Sequence, residues 1–112
     1  MALQTVVELP EFLRRAKSIM SDEEREELVG YLAANPEAGI SLGGGLRKVR
    51  FARSGGGKSG GYRTIHVFGA SEVPLFLLTV FAKNERDNLT RGELAAAVDL
   101  SKRLLATYGA GQ

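Results

Sequence analysis

The pattern of apolar and polar residues at the start of the chain predicts a short strand followed by a helix. Thr5 to Leu9 (TVVEL) is rich in β-branched residues, as strands are. Pro10 then suits the first turn of a helix, where its missing N–H costs nothing. Apolar residues recur after it at helical spacing, at Phe12, Leu13, Ala16 and Ile19.

A second helix is predicted directly after the first. Ser21 and Glu24 have the spacing of a capping box, in which each side chain accepts from the other residue's backbone N–H. The apolar positions that follow are Leu28, Val29 and Leu32. Asn35-Pro36 ends the helix, because a residue before proline disfavours helical geometry. Residues 38–45 end in three glycines, and we predict a loop there.

The middle of the chain predicts three consecutive strands. Leu46 to Arg53 alternates, and Tyr62 to Phe68 (YRTIHVF) is β-branched and aromatic. The glycine-rich stretch between them predicts a hairpin loop. The third strand, PLFLLTVFA from Pro74, is apolar on both faces, which is typical of a strand inside a sheet.

A final helix follows a second capping box, Thr90 with Glu93, and ends at Tyr108-Gly109. The predicted order is therefore β-α-α-β-β-β-α. Helices at the two ends and strands between them indicate an α+β fold with a compact, mostly antiparallel sheet backed by helices. Without an internal linker, residues 1–112 are expected to form a single domain.

Composition narrows the possible chemistry. The chain has no cysteine and one histidine, His66. Disulfides, thiolate metal sites and cysteine nucleophiles are therefore excluded, and a Ser-His-Asp triad is disfavoured. We expect neither a metal nor a cofactor. The sequence has no signal-peptide pattern and no apolar run of membrane-spanning length, so we expect a cytoplasmic protein that makes no membrane contact.

Charge is distributed unevenly along the chain. Between Glu37 and Glu72 there is no acidic residue, and the segment carries +6, whereas the rest carries −4. The basic residues of this block are Arg47, Lys48, Arg50, Arg53, Lys58 and Arg63. A local basic block points to a polyanionic partner such as nucleic acid, the alternative being a solvated basic surface.

The stretch SGGGKSGGYR, from Ser54 to Arg63, invites comparison with a nucleotide-binding phosphate loop. Gly57-Lys58-Ser59 supplies the end of that motif, but its earlier glycine falls at Ala52. The motif also has to lead into a helix, whereas a strand is predicted here. We therefore interpret the glycines as a hairpin tip that carries Lys58 towards a ligand.

Three segments together resemble a known family. They are GLRKVRFAR (Gly45 to Arg53), GKSGGYR (Gly57 to Arg63) and FAKNERDNLT (Phe81 to Thr90). They are similar to the RelE/HigB toxins of type II toxin–antitoxin modules. The resemblance implies an endoribonuclease that cuts mRNA on the ribosome. It also implies a cognate antitoxin, in the HigB branch usually a helix-turn-helix, HigA-like protein, through which alone the toxin reaches operator DNA.

The resemblance also implies roles for individual residues. Cleavage without metal uses the 2′-OH of the RNA as nucleophile, cations for the phosphate, and groups that transfer protons. A lysine whose pKa is lowered by neighbouring cations can serve as the base. The positions that match the family's catalytic residues are Lys48, Arg50, Arg63 and Lys83. Arg47, Arg53 and Lys58 are expected to contact RNA, although Arg47 and Arg53 share the apolar face of their strand with Val49.

The chain also departs from its relatives. Asn84 stands where several have a second arginine, and Thr90 stands where a tyrosine or histidine is usual. Glu85 and Asp87 are candidates for the acid or base, or they only cap and pair. His66 is interpreted as a packed strand residue. Two other functions stay open: a ParE-like DNA gyrase inhibitor and a non-catalytic RNA-binding module.

Overall fold

The computed structural model describes residues 3–52 and 61–109, and its elements confirm the α+β class. Within these ranges the chain forms five strands and three helices. In chain order they are β1 (Val6–Glu8), α1 (Pro10–Ile19), α2 (Asp22–Ala34), β2 (Ile40–Gly43), β3 (Leu46–Phe51), β4 (Tyr62–Val67), β5 (Leu75–Ala82) and α3 (Arg91–Gly109).

The strands form one sheet in the order β1-β5-β4-β3-β2. All neighbouring pairs are antiparallel except β1 and β5, which are parallel. The sheet is thus mostly antiparallel, as predicted. Strand β5 pairs on both sides, and this interior position explains why it is apolar on both faces.

Helices cover the two faces of the sheet. On one face, Phe12 and Ala16 of α1 and Leu28 and Leu32 of α2 are buried in one apolar cluster with strand residues such as Val49. On the other face, α3 packs over a second cluster. Its buried members are Leu46, Ile65, Val67, Val73, Phe76, Leu78 and Phe81. We call the first face the α1/α2 face and the second the α3 face.

Strand β2 corrects the prediction of a loop over residues 38–45. Ile40 and Ser41 pair with Lys48 and Arg47 of β3, and a bulge follows between Ser41 and Gly43. The strand has only four residues, ISLG, and lies at the sheet edge, so the alternation of Ile40 and Leu42 with Ser41 and Gly43 is too brief to identify a strand. Its pairing with β3 is a tertiary interaction that local sequence signals do not report.

The turn between β2 and β3 needs its glycines and holds α3 in place. Gly44 and Gly45 have positive φ angles of 62° and 92°, which L side chains rarely adopt. A Cβ atom on Gly45 would lie 2.5 Å from Leu105 Cδ1 of α3. The Ser101 hydroxyl of α3 donates to the Gly44 carbonyl at 2.6 Å. These contacts place α3 against the start of β3.

Candidate functional site

Three of the predicted catalytic residues lie on the same face of the sheet. Lys48 and Arg50 alternate with Val49 on β3, so they point to the α3 face. Arg63 on β4 is the direct cross-strand partner of Arg50, and Ile65 is the partner of Lys48. The antiparallel register therefore brings Lys48, Arg50 and Arg63 together into one basic cluster.

Like charges directly opposite each other on neighbouring strands repel, and Asp87 offsets that repulsion. Arg63 Nε donates to Asp87 Oδ1 at 2.6 Å. The Arg63 side chain is 3% exposed, whereas that of Asp87 is 52% exposed. A half-exposed carboxylate thus pairs with a buried guanidinium, in an ion pair that is strengthened by hydrogen bonding.

The ammonium of Lys48 is held by Asp87 and by the next residue along the chain, Asn88. Lys48 Nζ donates to the Asn88 side-chain oxygen and, at 3.4 Å, to the Asp87 carbonyl. Lys48 and Asn88 also line a cleft of about 180 Å³ beside Ile65. The other lining residues are Leu42, Leu89 and Leu94. Lys48 therefore stands between an apolar cleft and the Arg63–Asp87 pair.

The turn between β5 and α3 is anchored before it reaches Asp87. The backbone N–H groups of Glu85 and Arg86 both donate to the Ala82 carbonyl. The Glu85 carboxylate accepts from Arg15 of α1 at 2.6 Å, and Arg15 also donates to the Val80 carbonyl. We call residues 83–90 the β5–α3 turn. Its first half is thus tied to both α1 and the sheet.

The second half of the β5–α3 turn is tied to α3. Arg86 lies 4.8 Å from the centre of the Phe81 ring and pairs with Glu93 at 2.6 Å. Thr90 and Glu93 form the predicted capping box, with distances of 2.8 and 3.1 Å. The Arg86 hydrogen bond and the Thr90 backbone N–H together lower the pKa of Glu93 to about 2. Glu93 is thus ionised at neutral pH and links the turn to the helix.

Tyr62 fixes the position of Arg63 from the opposite face. Its ring is buried on the α1/α2 face, and its hydroxyl lies 2.9 Å from the Ile19 carbonyl and 3.0 Å from Glu24 Oε1. Glu24 is itself held by the capping box with Ser21. The Tyr62-Arg63 pair therefore combines a buried anchor with a cation that points to the basic cluster.

Comparison with known protein families identifies the family of the chain. The sequence model described as "RelE toxin of RelE / RelB toxin-antitoxin system" matches residues 7–110 of the chain. The chain belongs to the RelE toxin family. It is therefore the toxin of a toxin–antitoxin system, and its partner is a cognate antitoxin.

Of the other site residues predicted for this RelE-family toxin, the structure describes Lys83 and Arg47. Lys83 is exposed in the β5–α3 turn, two residues beyond Phe81, which pairs with Arg63. Arg47 lies on the α1/α2 face, as alternation predicted, and its guanidinium donates to the Ala38 and Gly39 carbonyls. It is therefore separate from the basic cluster. Arg53, Lys58 and the glycine-rich hairpin tip lie outside the described residues.

The sequence offers Asp87 as an acid, a base or a pairing residue, and in the structure it pairs with Arg63. No local signal points to Asn88, whose contact with Lys48 spans 40 residues of the chain. Thr90, which replaces the usual tyrosine or histidine, uses its hydroxyl to accept from the Glu93 N–H. Thr90 thus caps helix α3 in this toxin.

His66 lies apart from the basic cluster, on the α1/α2 face. It is fully buried, and its Nε2 lies 2.8 Å from the Pro36 carbonyl. Burial lowers the pKa of His66, and the nearby positive charge of Arg47 lowers it further, against the opposing effect of the Pro36 hydrogen bond. The ring is therefore a neutral, packed residue at physiological pH.

In ranges 3–52 and 61–109, no group of His, Cys, Asp or Glu side chains is arranged to hold a metal ion. Across the same residues, no helix has the length and apolar character needed to cross a membrane.

Proposed function

We propose that this RelE-family toxin is a ribosome-dependent mRNA endoribonuclease that inhibits translation. The observation that carries the proposal is the basic cluster, in which Arg50 and Arg63 are cross-strand partners and Lys48 lies on the same face. Arginine holds phosphate oxygens through two parallel hydrogen bonds, and a cross-strand pair of guanidiniums suits one phosphodiester.

The chemistry of the proposed reaction needs no metal. The 2′-oxygen of the RNA attacks the neighbouring phosphorus as its proton is removed, which forms a 2′,3′-cyclic phosphate. The bond from phosphorus to the 5′-oxygen breaks, and that oxygen takes a proton as it leaves. Arg50 and Arg63 stabilise the charge that builds on the phosphoryl oxygens. Lys48 is proposed to transfer a proton, and Lys83 to supply a further cation.

The partners follow from the same proposal. The substrate is mRNA in the decoding site of the ribosome, which orients the 2′-OH that the toxin attacks. Lys58, in the predicted hairpin tip, and Arg53, at the end of the predicted strand before it, are proposed to contact RNA. The cognate antitoxin is proposed to be a helix-turn-helix, HigA-like protein, and the toxin to act in the cytoplasm.

The direct test uses purified toxin and one defined mRNA, either free or in initiated ribosome complexes. We expect cleavage of the ribosome-bound mRNA, with 2′,3′-cyclic phosphate on the upstream fragment. Arg63→Ala is expected to slow cleavage on the order of 100-fold, since it removes a charge contact of the transition state. Arg103→Ala is the matched control, because it removes one arginine from an exposed site on α3.

Two results would overturn the proposal. One is equal cleavage of free and ribosome-bound mRNA, which contradicts ribosome dependence. The other is full activity in a folded Arg63→Ala protein, which contradicts the role of the basic cluster.

A further inference from the structure

The phosphate-binding role proposed for Arg63 conflicts with its surroundings. A guanidinium that is 3% exposed offers almost no surface to an incoming phosphate. The Asp87 carboxylate, whose side chain is 52% exposed, lies 2.6 Å from Nε. An RNA phosphate that binds Nε therefore has to take the position that Asp87 already occupies.

The ammonium of Lys48, another cation of the basic cluster, is also hydrogen-bonded to the β5–α3 turn. Lys48 donates to the side chain of Asn88 and to the backbone carbonyl of Asp87. Two consecutive residues of the β5–α3 turn thus bind Arg63 and Lys48. Both supply oxygen acceptors, which is also what the non-bridging oxygens of a phosphodiester supply.

We infer that Asp87 is an internal competitor of the RNA phosphate, whose carboxylate must leave Arg63 before the toxin can bind its substrate. This inference rests on the proposed function. Carboxylate and phosphate present the same charge and the same acceptor geometry to a guanidinium, so they exclude each other. The residue sets the RNA affinity of the toxin and keeps the Arg50–Arg63 pair stable while RNA is absent.

Anchors before and after Asp87 confine the exchange to a short segment. Glu85 stays with Arg15, and the Thr90–Glu93 capping box holds the other end of the turn. Release of Asp87 and Asn88 from the two cations therefore requires a movement of the 87–88 segment. The opposite role, in which Asp87 orients Arg63 for catalysis, predicts the opposite effect on RNA binding when the carboxylate is removed.

The test measures binding without cleavage. Fluorescence anisotropy gives the Kd for a short single-stranded RNA that is 2′-O-methylated at every position, so that no nucleophile is present. We expect Asp87→Asn to bind this RNA on the order of 10- to 100-fold more tightly than wild type, the range for a hydrogen bond to a charged group.

Asp99→Asn is the matched control. It is the same substitution, but Asp99 is exposed on α3, where its partner is Arg103 rather than a member of the basic cluster. Its affinity is expected to stay within about threefold of wild type, as for an exposed ion pair. If Asp87→Asn binds no more tightly than Asp99→Asn, or if no variant binds the RNA, the inference is wrong.

A measurement on the wild-type protein covers the case in which Asp87→Asn does not fold. The Arg63 Nε–H signal is assigned by nitrogen NMR from its loss in Arg63→Lys. We expect RNA to shift this signal, because the Asp87 bond is exchanged for a phosphate bond. An unshifted signal at saturating RNA contradicts the competition.

Different measurements test the inference and the proposed function, so one can be wrong without the other. Ribosome-dependent cleavage tests the function, and RNA affinity tests the competition. A toxin that cuts mRNA but gains no affinity from Asp87→Asn overturns the inference alone. A toxin that gains affinity but cuts nothing supports the inference and overturns the nuclease proposal.

Discussion

Arg50 and Arg63 are paired across two strands, yet their environments differ, and this difference predicts unequal tolerance to lysine. Arg63 is buried and uses Nε for Asp87, whereas Arg50 is exposed. A lysine keeps the charge but has neither Nε nor a planar fork. We expect Arg63→Lys to reduce cleavage on the order of 10- to 100-fold, and Arg50→Lys to be milder.

The measurement for this pair is single-turnover cleavage of ribosome-bound mRNA, with melting curves to confirm that both proteins are folded. Equal losses in the two variants would show that only the charge matters, in conflict with the distinct position of Arg63.

His66 predicts how the stability of the toxin depends on pH. Because burial holds the folded-state pKa of His66 below its ordinary value of 6.5, the unfolded state binds more protons as pH falls past that value. The free energy of unfolding should therefore decrease from about pH 6.5 downwards until the folded-state pKa is reached. Urea unfolding at pH 7.5 and pH 5.5 measures this change.

His66→Gln is the control for that experiment, since glutamine can still donate to the Pro36 carbonyl but does not titrate. Its stability should depend less on pH over this range. An identical loss of stability in wild type and His66→Gln would assign the effect to other groups.

At the scale of elements, the capping box at the start of α3 stabilises both the helix and the turn that carries Asp87. Thr90 Oγ1 accepts from the Glu93 N–H at 3.1 Å. Thr90→Ala should lower the free energy of unfolding by about 1 kcal/mol. Thr107→Ala, an exposed position near the other end of α3, removes the same atoms without a cap and should be nearly neutral. Denaturant unfolding compares the two, and equal effects would contradict the role of the cap.

Elements with local signals were predicted well. Pro10 and the two capping boxes mark the starts of α1, α2 and α3, because these signals act within one helical turn. Strand β2 was missed because its stability comes from pairing with β3 rather than from its own residues. Alternation correctly placed Lys48 and Arg50 on one face and Arg47 on the other.

The candidate site was predicted only in part for the same reason. Alternation within a strand reports which side chains share a face, but it does not report contacts between distant segments. Arg63 and Asp87 are 24 residues apart, and Lys48 and Asn88 are 40 apart. Both contacts depend on how the β5–α3 turn folds over the sheet. The sequence therefore does not predict that Asp87 and Asn88 bind the two cations.

At the scale of the whole molecule, acidic and basic surfaces are separate. The basic cluster is on the α3 face of the sheet, whereas α2 exposes Asp22, Glu23, Glu26 and Glu27. Glu24, from the same acidic run, is buried and serves in the capping box. Of two neighbouring apolar residues of α1, Phe12 is fully buried and Leu13 is 41% exposed.

This separation predicts how the antitoxin binds. We expect a basic antitoxin segment to dock on α2, away from the basic cluster, and to block ribosome entry by its bulk. The affinity of an Arg50→Ala/Arg63→Ala double variant should then equal that of wild type. Glu26→Lys/Glu27→Lys should bind more weakly, increasingly so at low salt. A large loss in the arginine variant would instead indicate direct masking of the basic cluster.

The central claim, that the basic cluster cuts mRNA during translation, is tested most directly in cells. Wild type and Arg63→Ala are expressed briefly in a bacterium, and the 5′ ends of all transcripts are mapped. We predict growth arrest with new 5′ ends inside translated codons for wild type, and neither for Arg63→Ala. Growth arrest with a DNA-damage response and no new 5′ ends, as a gyrase inhibitor would cause, would contradict the account.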